Sequence, residues 1–179
     1  MTPVAHPVHL LDCTLRDGSY TIDFQFTAQD TWIISSALEQ AGIQYIEIGH
    51  GLGLGASRMD KGVALETDAA YCEAVAGKLK TAQWGTFFIP GIGTLDDIDM
   101  LAGFGAQFIR IGTDVERVAA SEPFIARAKQ HGMTVFSNFM KTYSVSPEEF
   151  VRYALMAEQM GSDVLVVVDS AGGMLPEDV

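Results

Sequence analysis

Six short apolar runs punctuate the chain, at residues 9–13, 44–48, 83–89, 107–111, 134–139 and 163–168. Each is rich in Ile, Val, Leu or Phe and alternates little with polar residues, the pattern of parallel strands covered on both faces. Longer amphipathic stretches lie between them, and their ends carry helix punctuation. Thr27 is placed to cap a first helix with an apolar stripe of Ile33, Ile34, Ala37, Leu38 and Ala41, which Gly42 stops. A second helix is expected over 69–79 and a third over 94–104, where Thr94 caps and Asp96 and Asp97 sit at the positive end. Residues 123–131 lie within a fourth that ends at Gly132. Ser146-Pro147-Glu148-Glu149 opens a fifth with a cap, an N1 proline and first-turn acids, and Gly161 closes it.

Strand and helix thus alternate, with no Pro/Gly/Ser-rich linker and no charge block to mark a boundary. Such alternation specifies a parallel sheet, either doubly wound or closed as a barrel, and the pattern alone does not choose. Gly51-Leu52-Gly53-Leu54-Gly55 follows the second run and departs from G-x-G-x-x-G, which argues against a dinucleotide site. Leu175-Pro176-Glu177-Asp178-Val179 reads as the opening turn of another helix. The expectation is therefore a single domain over 1–179, cut short at its C-terminal end.

Composition narrows the function classes. With 179 residues, 48% of them hydrophobic, the chain can bury one substantial core and needs no second. A formal net charge of -12 argues against nucleic acid and anionic membranes as partners, because phosphate surfaces demand Lys/Arg patches. It leaves room for a small anionic substrate, which one or two buried cations decide locally. Cys13 and Cys72 form neither a disulfide framework nor a zinc spacing, so a reducing compartment is expected. No apolar run approaches the roughly 20 residues that span a bilayer, and residues 1–9 lack a leader's basic and apolar segments. A soluble, cytoplasmic protein is the expectation.

In a parallel α/β fold, functional groups gather where strands end and loops begin. The first run ends in Asp12-Cys13-Thr14-Leu15-Arg16-Asp17-Gly18, where a guanidinium suits a carboxylate or enolate and the neighbouring carboxylate suits a hard metal. A plain Arg–Asp pair covering the sheet end fits the same spacing. Glu47 alternates with Ile46 and Ile48 and points inward, where only Arg16 or a metal would offset its burial. His50 suits a ligand or proton carrier, or a structural turn. Lys141 follows the fifth run and fits either a Schiff-base lysine or a solvated loop. Ser170 and the bare amides of Asp169-Ser170-Ala171-Gly172-Gly173 fit an anion nest or a tight turn.

Together these segments resemble the metal-dependent aldolase and lyase superfamily that carries Arg-Asp-Gly after its first barrel strand. It includes 4-hydroxy-2-oxovalerate aldolase, hydroxymethylglutaryl-CoA lyase and isopropylmalate synthase, and the first of these is the nearest likeness. The resemblance rests on Thr14-Leu15-Arg16-Asp17-Gly18, Ile46-Glu47-Ile48-Gly49-His50-Gly51, Glu73-Ala74-Val75-Ala76-Gly77, Pro90-Gly91-Ile92-Gly93 and Asp169-Ser170-Ala171-Gly172-Gly173, in order over almost the whole chain. It implies a TIM (β/α)8-type barrel, incomplete here with about six β/α units. It also implies cleavage of a 4-hydroxy-2-oxo acid to pyruvate and an aldehyde, with a divalent metal: manganese first, then magnesium or cobalt. Carried over, Asp17 would be a metal ligand, Arg16 would stabilise the enolate, and Ser170 would hold the substrate carboxylate. Glu47 and His50 would support them.

Two departures qualify the likeness. Where the family aldolase has its acid/base histidine, two residues after the motif's glycine, this chain has Tyr20. A phenol with a reference pKa of about 10 is a poor base at neutral pH and suits a proton donor better. The family also completes its metal site with a His-x-His pair, whereas the histidines here are His6, His9, His50 and His131. An acyl-CoA lyase, a Claisen-type condensing enzyme and a non-catalytic barrel fragment remain alternatives. The resemblance further implies a role in aromatic hydrocarbon catabolism and an acylating aldehyde dehydrogenase as partner. An open barrel edge implies a homo-oligomer or partner chain.

Overall fold

The computed structural model describes residues 8–178; His6, most of the segment read for a leader, and Val179 lie outside them. Six parallel strands form one sheet in sequential order: β1 (Leu11–Asp12), β2 (Tyr45–Ile48), β3 (Gln83–Phe88), β4 (Phe108–Asp114), β5 (Thr134–Met140) and β6 (Val164–Val167). Each neighbouring pair is parallel, so every connection crosses back over the sheet, and helices make those crossings. The result is an incomplete TIM-type barrel. Its outermost strands are β1 and β6, and Leu165 and Val167 of β6 are 41% and 40% exposed.

The helices are α1 (Ala28–Gln40), α2 (Asp68–Val75), α3 (Leu95–Gly103), α4 (Glu122–Gln130) and α5 (Pro147–Met160). Thr27, Thr94 and Ser146 each close a capping box, with Asp30, Asp97 and Glu149 returning the bond to the cap amide. Two expectations need correction. The second helix ends at Val75, because Gly77 takes a left-handed φ of 69° and turns the chain before Leu79. The first helix does not bury the whole expected stripe. Ile34 and Leu38 pack on the core, Thr31 and Ser35 face inward beside them, and Ile33 is 52% exposed. Two adjacent apolar rows run along this helix, and only one of them meets the sheet. The first strand is also shorter than its apolar run, reduced to two residues.

Strand alternation sorts the side chains into two sets. Ile46, Ile48, Trp84, Phe88, Ile109, Ile111 and Val135 point toward the helices and form the sheet's share of the main core. The other set points into the barrel and stacks in layers. At the N-terminal ends Tyr45, Phe108 and Phe136 meet edge to face, with ring centroids 5.5–5.6 Å apart. Two residues further along the same strands come Glu47, Arg110 and Asn138, with Phe87 of β3 among them. Small residues make room for the rings: a Cβ on Gly112 would lie 2.4 Å from the Phe87 ring, and one on Gly85 would lie 2.1 Å from the Phe108 carbonyl.

The loop after β2 is locked onto β3. Leu54 N–H donates to the Phe87 carbonyl at 3.0 Å, and Gly53 has a φ of +86° with the site of a Cβ only 2.1 Å from that same oxygen. Gly53→Ala is therefore expected to cost about 2 kcal/mol through strain and a backbone clash. The measurement is the urea midpoint against wild type, with Gly49→Ala as a comparison, since a Cβ there meets nothing within 4 Å.

Candidate active site

The chain leaves β1 in a tight turn. The amides of Arg16, Asp17 and Gly18 all donate to the Cys13 carbonyl, at 3.1, 2.7 and 3.3 Å, and the Ser19 hydroxyl donates to the Arg16 carbonyl at 2.6 Å. This winds residues Asp17–Ile22 into a 3-10 segment and turns the Arg16 side chain back over the open end of the barrel. Its Nε donates to Glu47 Oε2 at 2.6 Å, and its Nη1 donates to Asp17 Oδ1 at 2.8 Å and to the Gly51 carbonyl at 3.1 Å. The guanidinium carbon sits 4.7 Å from the Phe87 ring centroid. None of the described residues accepts a hydrogen bond from Nη2. Burial works against the charge on Arg16, but Glu47 more than offsets it and holds the guanidinium pKa above its ordinary value.

A cleft of about 330 Å³ opens above this layer, and Arg16, Asp17, Tyr20 and Ser170 all line it. The structure thus gathers, from opposite ends of the sequence, the residues expected to carry chemistry. Asp17 stands at the rim with its side chain 65% exposed. Tyr20, 45% exposed, packs across Gly51, where a Cβ would lie 2.5 Å from its ring. Partial burial raises the Tyr20 pKa above the usual phenol range, with Arg16 only partly opposing. The phenol therefore keeps its proton at neutral pH. Ser170 Oγ accepts from Lys141 N–H at 3.0 Å and is left with its own proton to donate.

For three motifs the geometry favours one of the two readings left open. His50 is enclosed, with Leu52 N–H donating to Nδ1 at 3.0 Å and Nε2 lying 3.1 Å from the Gly62 carbonyl. The amide fixes Nδ1 as acceptor, so Nε2 carries the proton and donates to Gly62. Stacked on Phe24 at 4.0 Å, with burial lowering its pKa, the ring ties a loop together and has no nitrogen free for a metal or substrate. Lys141 does not line the cleft; it is 53% exposed and pairs with Asp114 at 3.0 Å, as a solvated lysine does. The amides expected to form an anion nest are taken by Asp169, whose carboxylate accepts from Met174, Gly172 and Ala171 at 2.7, 2.9 and 3.3 Å. Those amides hold the Asp169 pKa below the usual range. Of that motif, only Ser170 faces the cleft.

Sequence reasoning missed Arg110 and gave Asn138 no role. Arg110 Nη1 donates to Glu47 Oε2 at 2.9 Å and to Cys13 Sγ at 3.3 Å, and its Nη2 donates to Asn138 Oδ1 at 2.6 Å. One oxygen of Glu47 thus bridges two arginines, while its other oxygen, Oε1, is buried without a partner. Burial, with Glu47 beside it, pushes the Cys13 thiol up to about 11, so it stays a thiol. For a divalent cation the fit is poor: no three His, Cys, Asp or Glu side chains converge among the described residues. Asp17 offers one carboxylate oxygen beyond the one on Arg16, which is too few ligands for a metal site. Among the described residues, no helix is long and apolar enough to cross a membrane.

The HMGL-like family model matches residues 7–179. The chain is 39% identical to the 4-hydroxy-2-oxovalerate aldolase of Carboxydothermus hydrogenoformans over 176 residues, 98% of this chain and 52% of that one. It is 38% identical to the enzyme of the same name from Moorella thermoacetica over 175 residues, again 98% and 52%. The chain therefore spans about half the length of the curated relatives it matches. Among solved structures, the carboxyl transferase domain of Rhizobium etli pyruvate carboxylase superposes with a TM-score of 0.77 at 14% identity, covering 96% of this chain and 32% of that one. The N-terminal domain of an aldolase-like protein from Bacteroides vulgatus gives 0.73 at 20%, covering 96% and 57%. At such identities these two likenesses speak for the fold alone.

Proposed function

Because this chain belongs to the HMGL-like family, we propose that its Arg16 cleft serves an aldolase that splits a 4-hydroxy-2-oxo acid into pyruvate and an aldehyde. One observation carries the reading: a buried guanidinium, pinned through Nε and Nη1, keeps Nη2 unpaired in a cleft that Tyr20 and Ser170 also line. The name shared by the curated relatives supports it.

The chemistry asks for such an arrangement. Breaking the bond between C3 and C4 sends its electron pair to C3 and onward to the 2-oxo oxygen, while the proton of the 4-hydroxyl leaves to water at the cleft mouth. The oxyanion then needs fixed donors in a shielded place, and a pre-set guanidinium supplies them without reorganising at the moment of reaction. Ser170 donates its hydroxyl proton to the substrate carboxylate. Tyr20 donates its phenolic proton to C3, which completes pyruvate, and regains a proton from the water that took the one from the 4-hydroxyl.

The divalent ion that the resemblance implies, manganese first, would find in Asp17 a single ligand among these residues. The steps above accordingly run on the protein's own groups. Both outer strands carry exposed apolar side chains, Leu10 beside β1 and Leu165 and Val167 on β6. They favour cover by further polypeptide, whether more of the same protein, a second copy or a partner dehydrogenase.

The test is release of pyruvate from 4-hydroxy-2-oxovalerate by this chain, and by any longer natural polypeptide that carries it, with and without manganese. No release in either condition would overturn the proposal. Tyr20 has its own signature. A Tyr20→His variant is expected to gain an ionisation near pH ~6.5, above which its rate falls as the imidazole loses the proton it must donate. The wild type, whose phenol pKa is raised, is expected to keep its donor through neutral pH and to show no such limb there. A pH–rate comparison of the two proteins checks both statements.

A further inference from the structure

We infer that Arg110 is a positioning residue for Arg16, acting through Glu47, so that a single free guanidinium edge meets a 2-oxo acid. The inference rests on the reading of the cleft given above and adds the device that keeps its central cation in place. Its starting point is the asymmetry of Glu47. That carboxylate is fully buried, yet Oε2 makes both of its ion pairs and Oε1 has no partner. No hydrogen bond on the Oε1 side holds the carboxylate. Its orientation depends on the two guanidiniums that meet at Oε2.

Arg110 is itself well held. It comes from the middle of β4, bonds Asn138 of β5 through Nη2, and lies over the same Phe87 ring as Arg16, at 5.5 and 4.7 Å. The chain of contacts therefore runs from β5 through Asn138 and Arg110 to Glu47 and then to Arg16, with the aromatic face keeping both cations in plane. Its end groups differ in what they leave free. Both terminal nitrogens of Arg110 are committed, to Glu47, Cys13 and Asn138, whereas Arg16 keeps Nη2 unpaired. Arg110 is placed to anchor, and Arg16 to bind. Its removal would leave Glu47 gripped on one side, free to swing and to release Arg16 Nε.

The test uses this chain with Arg110→Gln, Arg110→Lys, Arg16→Gln and the double glutamine variant. One readout is hydrogen exchange at Arg16 Nε–H, followed by nitrogen-15 NMR; the other is the affinity for oxalate, a planar analogue of the pyruvate enolate. Exchange at Arg16 Nε–H is expected to quicken about tenfold in Arg110→Gln, and an unchanged rate would overturn the inference. Oxalate binding should weaken about tenfold in Arg110→Gln and further in Arg16→Gln, with the double variant no weaker than Arg16→Gln alone. Additive losses would overturn it too, because Arg110 would then be holding the ligand itself. If the glutamine variant does not fold, Arg110→Lys, which keeps a charge near Glu47 but lacks the fork to reach Asn138, carries the same exchange measurement with the same two outcomes. If the wild type takes up no oxalate, the 2-oxo acid reading falls, while the exchange rate still decides the role of Arg110.

Discussion

Arg16→Ala is expected to lower pyruvate release by about 10²–10³-fold under the proposed aldolase activity, the loss typical of removing one oxyanion donor. The expectation follows from the position of the guanidinium. It is buried, set by Glu47 and Asp17, and lines the cleft with a donor to spare. The effect should fall on kcat more than on KM, because the charge it meets develops only as the bond breaks. The fold should survive, since Glu47 keeps its ion pair with Arg110 at 2.9 Å when Arg16 is gone. Steady-state kinetics beside a thermal melt separate the two. A variant that melts normally and retains more than a tenth of the wild-type rate would remove Arg16 from the reacting centre.

Glu47→Gln should do the opposite and act mainly on stability. The wild-type carboxylate oxygen takes Arg16 Nε at 2.6 Å and Arg110 Nη1 at 2.9 Å, in a region from which water is almost excluded. A neutral amide leaves Arg110 without a counter-charge and Arg16 with only the exposed Asp17, the two guanidiniums lying over the same Phe87 ring. Stripping the partner from a buried pair costs about 3–5 kcal/mol, mostly from the charge left behind, and here two charges are left. Urea unfolding of the variant should shift by that order at unchanged m-value. A shift below about 1 kcal/mol would mean that water or rearrangement already screens the two cations.

Much of this architecture was legible in the residues. The apolar runs marked all six strands, and Thr27, Thr94 and Ser146 announced their helices because a cap is a local event between near neighbours. The gathering of Arg16, Asp17, Tyr20 and Ser170 was also foreseeable, since strand ends converge at one end of a parallel barrel. What escaped was long-range or competitive. Arg110 sits between Ile109 and Ile111 in the middle of a strand, and only alternation would have turned it inward beside Glu47. Between a nest and a tight turn at Ala171-Gly172 the sequence did not choose, and the turn prevails because a carboxylate two residues before it takes the amides. His50 fitted both a proton carrier and a structural turn, and the amide that takes its Nδ1 belongs to a glycine-rich turn whose path no local pattern specifies. On α1 two apolar rows competed, and only packing on the sheet chose between them.

The ring of Tyr45, Phe108 and Phe136 beneath the arginines has a consequence for traffic. It floors the cleft on the side of β2, β4 and β5, so a ligand on Arg16 is reached from the C-terminal ends of these strands. A 2-oxo acid with its oxo oxygen on Arg16 and its carboxylate on Ser170 would have its remote half nearest the mouth. Once it is severed, the outer fragment departs first and the inner one must wait. Inhibition by each product should then follow that sequence, with the acid fragment competing against fresh substrate.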